Sequence, residues 1–230
     1  MKKLKKIFIF LSITFTIFLA GIVFSFDISL PKWFPFSAEQ SLDEWEEKIL
    51  KGRVTYEVKS QESESYLHSL SHSAASAIFY RVRQRYRAQD YPMISWKWKV
   101  EQFPDKEKLR FRPGIEKDDY AARVYVIFPS MIFFNSKALE YVWDETAPLD
   151  YVSISPFSSN IRLIVVESGK KNAGEWVFEE RNVVEDYKKA FGVAPALRVG
   201  AVALMSDADN TEGVAEAYFD EINIGYKKER

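Results

Sequence analysis

The chain has 230 residues, 47% hydrophobic and 28% charged, with a formal net charge of −1 and no cysteine. That length and balance describe one folded domain rather than a disordered chain. The missing cysteine excludes disulfide staples, thiol catalysis and zinc–thiolate centres, and an aromatic content of 16% favours pleated sheet.

The opening "MKKLKKIFIFLSITFTIFLAGIVFSF" stands apart from the rest. Four lysines precede an uncharged, mostly apolar run over 7–26. As a helix, such a run spans about 30 Å, the thickness of a bilayer's hydrocarbon core. Residues 1–26 therefore read as a secretory signal peptide or an uncleaved signal anchor. The lysines then stay cytoplasmic and the remainder is exported to the cell envelope or periplasm, with 7–26 holding it to the inner membrane in the signal-anchor case. Setting those lysines aside leaves 28 of the 32 basic residues against 33 acidic ones. That balance argues against nucleic acid as a partner.

Residues 27–40 read as a Pro- and aromatic-rich linker, and 41–227 as the domain. In "SAEQSLDEWEEKILKG", Ser41 and Glu44 have capping-box spacing, which predicts a short helix ended by Gly52. Strands follow. "RVTYEV" (53–58) and "SYLHSLSH" (65–72) alternate, while "SAIFYRVRQRY" (76–86) is ambiguous between strand and helix. "MISWKWKV" (93–100) is the cleanest strand, with Ile94, Trp96, Trp98 and Val100 on one face. "DYAARVYVIF" (119–128), "ALEYVW" (138–143), "NIRLIVVES" (160–168), "EWVFEERNVV" (175–184), "ALRVGAVALMS" (196–206) and "VAEAYFDEINIGYK" (214–227) continue the pattern. "VEDYKKAFG" (184–192) predicts a short helix stopped by Gly192, with Asp186 as a candidate cap. Nine or ten strands without long alternating helices predict an all-β fold. The expected architecture is an antiparallel β-sandwich, a jelly roll with one or two short helices, behind the N-terminal membrane or signal helix.

Five segments in series, "YPMISWKWKV", "KDDYAARVYVIF", "LEYVW", "ERNVVEDYKKAFG" and "ALMSDADNTEGVAEAYFDEI", together resemble the bacterial domain-of-unknown-function family 3047. The resemblance runs from about Ser41 to Ile224. It implies a galactose-binding-domain-like jelly roll and carries no established activity. The C-terminal "YFDEINIGYK" is also similar to the closing strand of many carbohydrate-binding jelly rolls.

The candidate ligand residues are aromatic, acidic and guanidinium groups. Trp96 and Trp98 could stack on sugar rings if their face is an open concave sheet, but Ile94 and Val100 beside them favour a core position. Asp118, Asp119 and Arg123 flank the entry of one strand. An arginine there needs a carboxylate partner or an anionic ligand, so the group reads either as a ligand grip or as an internal salt bridge. Tyr125 shares the less apolar face with Arg123. Tyr141 and Trp143 form another same-face aromatic pair, and Arg181, Asn182 and Asp186 cluster before the short helix. In "LMSDADNTEG" (204–213), Asp207, Asp209 and Asn210 offer the oxygen ligands of a structural calcium. Asx side chains in a turn between strands account for the same residues. His68 and His72, four apart on a strand, stand nearly 14 Å apart at about 3.4 Å per residue and cannot share a metal.

The expected function is an exported binding domain for a carbohydrate or similar polar ligand. Two alternatives stand beside it: a polysaccharide-acting enzyme using Asp119 and Asp209, and an envelope scaffold with a protein partner.

Overall fold

Period-two alternation dominates the chain, and the backbone follows it. The computed structural model describes residues 30–37, 39–61, 64–111, 118–132 and 135–228; the 1–26 leader lies outside them. Thirteen strands run β1 (Lys32–Phe34), β2 (Trp45–Lys51), β3 (Thr55–Gln61), β4 (Glu64–His72), β5 (Ala75–Tyr86), β6 (Met93–Gln102), β7 (Arg123–Phe128), β8 (Lys137–Asp144), β9 (Val152–Ser155), β10 (Ser158–Ser168), β11 (Val177–Asn182), β12 (Val199–Asp207) and β13 (Val214–Tyr226). The α-helix α1 (Val183–Phe191) and short 3-10 turns at Glu39–Leu42 and Lys106–Phe111 complete the described elements. Among the described residues no helix is long and apolar enough to cross a membrane.

The strands form two sheets. One has the order β11-β6-β13-β4-β3, with β1 also on β13; the other has the order β2-β5-β12-β7-β8-β10-β9. Inward-facing side chains interleave between them: Trp96, Trp98, Phe219 and Ile224 from the first meet Val124, Leu139, Tyr141, Trp143 and Leu204 from the second. The Trp98 ring lies 5.4 Å from Trp96 and 6.0 Å from Trp143. A sandwich held this way needs no disulfide, because large aromatics bury much apolar area each.

Several expectations change. The helix predicted after Ser41 is instead a 3-10 turn and strand β2. "WEEKILK" has good helical propensity, but pairing with β5 and the seat of Trp45 against Phe34, Phe36 and Tyr80 override it. The linker contains β1, which adds to β13 at Ile222–Ile224, so Lys32–Phe34 belong to the sandwich. The sheets are not wholly antiparallel: β10 runs parallel to β8, because β9 forms a hairpin on the far side of β10 and turns the chain round. Finally, β7 begins at Arg123, which leaves Asp118 and Asp119 in the preceding loop.

Helix α1 is capped by Asn182, whose side chain accepts from the N–H groups of Val184 and Glu185; Asp186 is not the cap. Gly192 ends the helix with φ 75°, where a side chain would be strained. Its N–H donates to the Lys188 carbonyl at 2.8 Å.

Trp98→Ala should cost about 3–5 kcal/mol in urea unfolding, whereas Lys97→Ala, exposed on the same strand, should stay within about 0.5 kcal/mol. Near-equal effects of the two would contradict the assignment of faces.

Candidate functional site

Strand β7 turns Val124, Val126 and Phe128 into the core and Arg123 and Tyr125 to the outside of the seven-stranded sheet. Arg123 is nonetheless only 2% exposed. The loop before β7 folds back over it, and Tyr120, Val142, Leu163 and Val165 form a second small apolar cluster there. A buried guanidinium must have every donor met. Here Nε donates to Asp207 Oδ1 at 3.1 Å and Nη2 to Asp207 Oδ2, a bidentate pair. Nη1 donates to Glu140 Oε1 at 2.5 Å and Asp118 Oδ2 at 3.3 Å. The second Nη2 proton goes to the Asp118 carbonyl. The Tyr120 ring lies 4.6 Å from the guanidinium carbon, and the ammonium of Lys106 lies 3.8 Å from the same ring. Lys106 also reaches Asp144 and Glu145.

All five Arg123 donors are therefore committed within the protein, which is the internal salt-bridge alternative rather than the ligand grip. Tyr125 belongs to the same closed network, donating to Glu140 at 2.9 Å. One guanidinium faces three buried carboxylates, so negative charge is in excess. Burial pushes Asp207 up to about 7 against the opposing pull of Arg123, and burial likewise raises Glu140.

The next shell is the turn 208–213. Asp119 accepts from the N–H of Asn210 at 3.2 Å and of Thr211 at 2.7 Å. Asp209 pairs with Lys51 at 3.3 Å. Oxygens of Asp119, Asp207 and Asp209 lie within 4.8 Å of one another, a hard-oxygen set of the kind calcium takes. Asn210, one of the three predicted ligands, lends this turn its backbone N–H.

The remaining predicted residues lie elsewhere. Trp96, Tyr141 and Trp143 are fully buried and present no surface to a ligand; their faces fill the core. Tyr141 donates to Asp186 at 3.0 Å, and Trp143 to the Gly169 carbonyl at 2.9 Å. Arg181 pairs with Asp186 through Nε and Nη2 at 3.0 and 2.7 Å and lines an open groove. That groove comprises two adjoining depressions of about 470 and 800 Å³, which share Glu180, Lys227 and Lys228. Tyr91, Tyr226 and Asn223 line the first; Arg181, Asp150 and Glu185 the second. Tyr226 donates to Glu180 at 3.1 Å and Lys228 to the same carboxylate at 2.6 Å. The groove lies at the Tyr226 end of β13 and the acidic turn at its Val214 end, so 13 residues of strand separate them, about 40 Å at some 3.4 Å per residue.

The sequence reading missed the groove aromatics, because Tyr91 and Tyr226 become neighbours only when β6 and β13 pair through Met93 and Tyr226. It also missed Glu140. A glutamate at an outward position in the apolar run "ALEYVW" was the available signal for a partner to Arg123.

Fold and site together define a two-sheet β-sandwich domain with a closed arginine–carboxylate centre at one end and an open polar–aromatic groove at the other. Residues 43–223 match the model of DUF3047, a protein family of unknown function, and the chain belongs to that family. No curated protein matches it in sequence. Among solved structures it is similar to a family 11 carbohydrate-binding module of cellulosomal cellulase Lic26A-Cel5E from Clostridium thermocellum, at 9% identity and TM-score 0.45, over 81% of this chain and 90% of that one. The CBM22-1 xylan-binding domain of Paenibacillus barcinonensis Xyn10C gives 11% and 0.43, over 85% and 94%. A cellulase derived from Rhodothermus marinus Cel12A gives 12% and 0.42, over 78% and 96%. Likenesses this distant carry no inference about a ligand.

The buried carboxylates generate a pH prediction. Asp207 is pushed up to about 7, and Glu179, desolvated beside Glu167, up to about 8. Between the ordinary carboxylate range near 4 and those values, the folded protein binds protons that the unfolded chain does not. The contribution of these two groups is therefore fully present at the acid edge of that window and is lost as pH rises through it. Glu57, Glu216 and Asp144 are held low by their partners and finish titrating beneath it. Thermal melts from about pH 5 to 8 should show a declining midpoint, with a shallower decline in Asp207→Asn. A rising wild-type profile would contradict this.

Proposed function

We propose that this domain binds a carbohydrate or similarly hydroxyl-rich ligand without turning it over, in the open groove at the Arg181 end. The observation that carries the reading is the lining itself. The rings of Tyr91 and Tyr226 offer apolar faces to a sugar ring, while Asn223, Glu180, Arg181 and Lys228 supply acceptors and donors for hydroxyls. Arg181 uses Nε and Nη2 on Asp186 and Asp150, which orients its guanidinium and leaves Nη1 outside those pairs. The apolar run 7–26 would place the domain in the cell envelope, where glycans are at hand; recovery of the chain from the cytoplasmic fraction alone would remove that part of the reading.

A polysaccharide-acting enzyme is the second reading. The closeness of Asp119 and Asp209 favours it, since an oxygen of each lies within 4.8 Å of the other, inside the roughly 5–5.5 Å reach of a retaining carboxylate pair. Against it, both Asp119 oxygens already accept backbone N–H groups. A calcium ion held by Asp119, Asp207 and Asp209 would have to use the lone pairs that the backbone N–H groups and Arg123 leave on those oxygens; it would pin the 208–213 turn to the loop before β7, with the exposed Lys51 swinging aside.

Calorimetric titration against a panel of envelope and plant-type glycans should give one class that binds intact. Tyr226→Ala and Arg181→Ala should each weaken it at least tenfold, about 1.4 kcal/mol, with unchanged circular dichroism. No hit on the panel would defeat the binding reading, and shortened products would establish the enzyme instead. Calcium at a hundredfold excess over its Kd should raise the melting temperature by about 5–10 °C. Asp209→Ala should abolish that rise, and an unmoved wild-type melt would exclude the ion.

A further inference from the structure

Among the described residues the two sheets present five outer strands: the three-residue β1, which carries Lys32, and four longer ones, of which three are guarded by charge. Strand β2 carries Glu46, Glu47, Lys48 and Lys51; β3 carries Glu57 and Lys59; β11 carries Glu179, Glu180 and Arg181. Charged edges are a common defence against strand-to-strand association. Strand β9, the last in the seven-stranded sheet, has no such guard. From Tyr151 to Ser158 the segment reads "YVSISPFS", with no acidic or basic side chain. Its large apolar residues face solvent: Tyr151 is 50% exposed, Ile154 58% and Phe157 68%.

The backbone is also set for pairing. Tyr151 turns its carbonyl towards β10, accepting from Val165 at 3.0 Å, and Ser153 stands opposite Leu163. By antiparallel alternation, the N–H and C=O groups of Val152 and Ile154 then point to the free side.

We propose that β9 is an interface at which a second copy of this chain adds antiparallel across a two-fold axis, joining the two seven-stranded sheets edge to edge. Charge favours a copy of the chain over a charged strand. A two-fold axis near Ser153 lays the uncharged segment against itself, so no like charges are opposed and no ionic group is left unpaired. The flanking Asp150 falls beyond the segment, facing the apolar Phe157 side of the other copy. The area sets the strength. The three exposed apolar side chains of the segment, at half to two-thirds exposure, supply at most about 100 Å² each, so both copies together bury up to about 800 Å² with the strand backbones. That is the low end of specific interfaces, which makes the dimer weak and reversible. Asp150 also lines the groove, so the pairing brings two grooves to one interface.

The chain's lack of cysteine allows a direct test. Single-cysteine variants of the full chain at Val152, Ser153, Ile154 and Ser155, in membranes or mild detergent, are oxidised and resolved without reductant. At a non-hydrogen-bonded position on the two-fold axis the two α-carbons stand about 4.5 Å apart, within disulfide reach. The dimer band should therefore peak at one of the four positions and fall away on either side. Ser60→Cys, on charged edge β3, should give a yield about tenfold lower, and Ile154→Lys should reduce the Ser153→Cys band by a similar factor. Equal yields at β9 and at Ser60→Cys would overturn the proposal. So would a band unaffected by Ile154→Lys, or a cross-link to a different protein in place of a second copy. None of these outcomes bears on glycan affinity, so this interface and the groove reading fail independently.

Discussion

The constraint on which one end of this molecule depends is a single buried charge. Arg123 lies under a loop with five donors to satisfy, and the solution draws on four parts of the chain: the 118–120 loop, β7 itself, Glu140 of β8 and Asp207 of β12. Asp207 also accepts from the Tyr120 N–H at 2.8 Å, so the same carboxylate fixes both the guanidinium and the loop that covers it. The next carboxylate along that loop, Asp119, then holds the turn into β13. Removing one member of such a network leaves a buried charge uncompensated, which is far costlier than never having built it.

The network also explains why the residues that look most chemical are the least available for chemistry. Asp118, Asp119, Arg123 and Asp207 have the composition of a ligand grip, yet their hydrogen-bonding capacity is used inside the fold. The other end of β13 has a different character. There the strands finish, the side chains of Tyr91, Asn223 and Tyr226 stand around open space, and charged groups border them with solvent at hand. The closed centre fixes strand register at its end, and the proposed binding reading places the ligand at the other, where it would be met without disturbing that centre.

Much of this was legible in the sequence where alternation was strong. β6 and β13 were read to within two residues at either end, because Trp and Val alternate with Lys in the one and Ala and Phe with Glu and Asp in the other. The two-sheet class followed from the number of strands. The stretch "WEEKILK" misled because charged residues of high helical propensity also serve an edge strand, whose exposed face needs no apolar alternation. The direction of β10 was hidden, since strand pairing is a property of loop paths rather than of strand composition. The site was half legible: Asp118, Asp119, Arg123 and Asp207 were each singled out, but Glu140 and the groove tyrosines depend on cross-strand neighbours that one-dimensional spacing does not reveal. Trp96, Tyr141 and Trp143 show the opposite limit. A strand tells which residues share a face, and only the second sheet decides whether that face is covered.

The most direct test of the arginine-centred account is a double-mutant cycle between Arg123 and Asp207, read by urea unfolding of Arg123→Met, Asp207→Leu and the pair together. The account predicts that each single change costs about 3–5 kcal/mol and that the double variant is several kcal/mol more stable than their sum, because removing both partners leaves fewer unmet charges than removing either. Additive losses would contradict it, for they would mean that Arg123 and Asp207 are neighbours in space without sharing the interaction on which this end of the fold is said to rest.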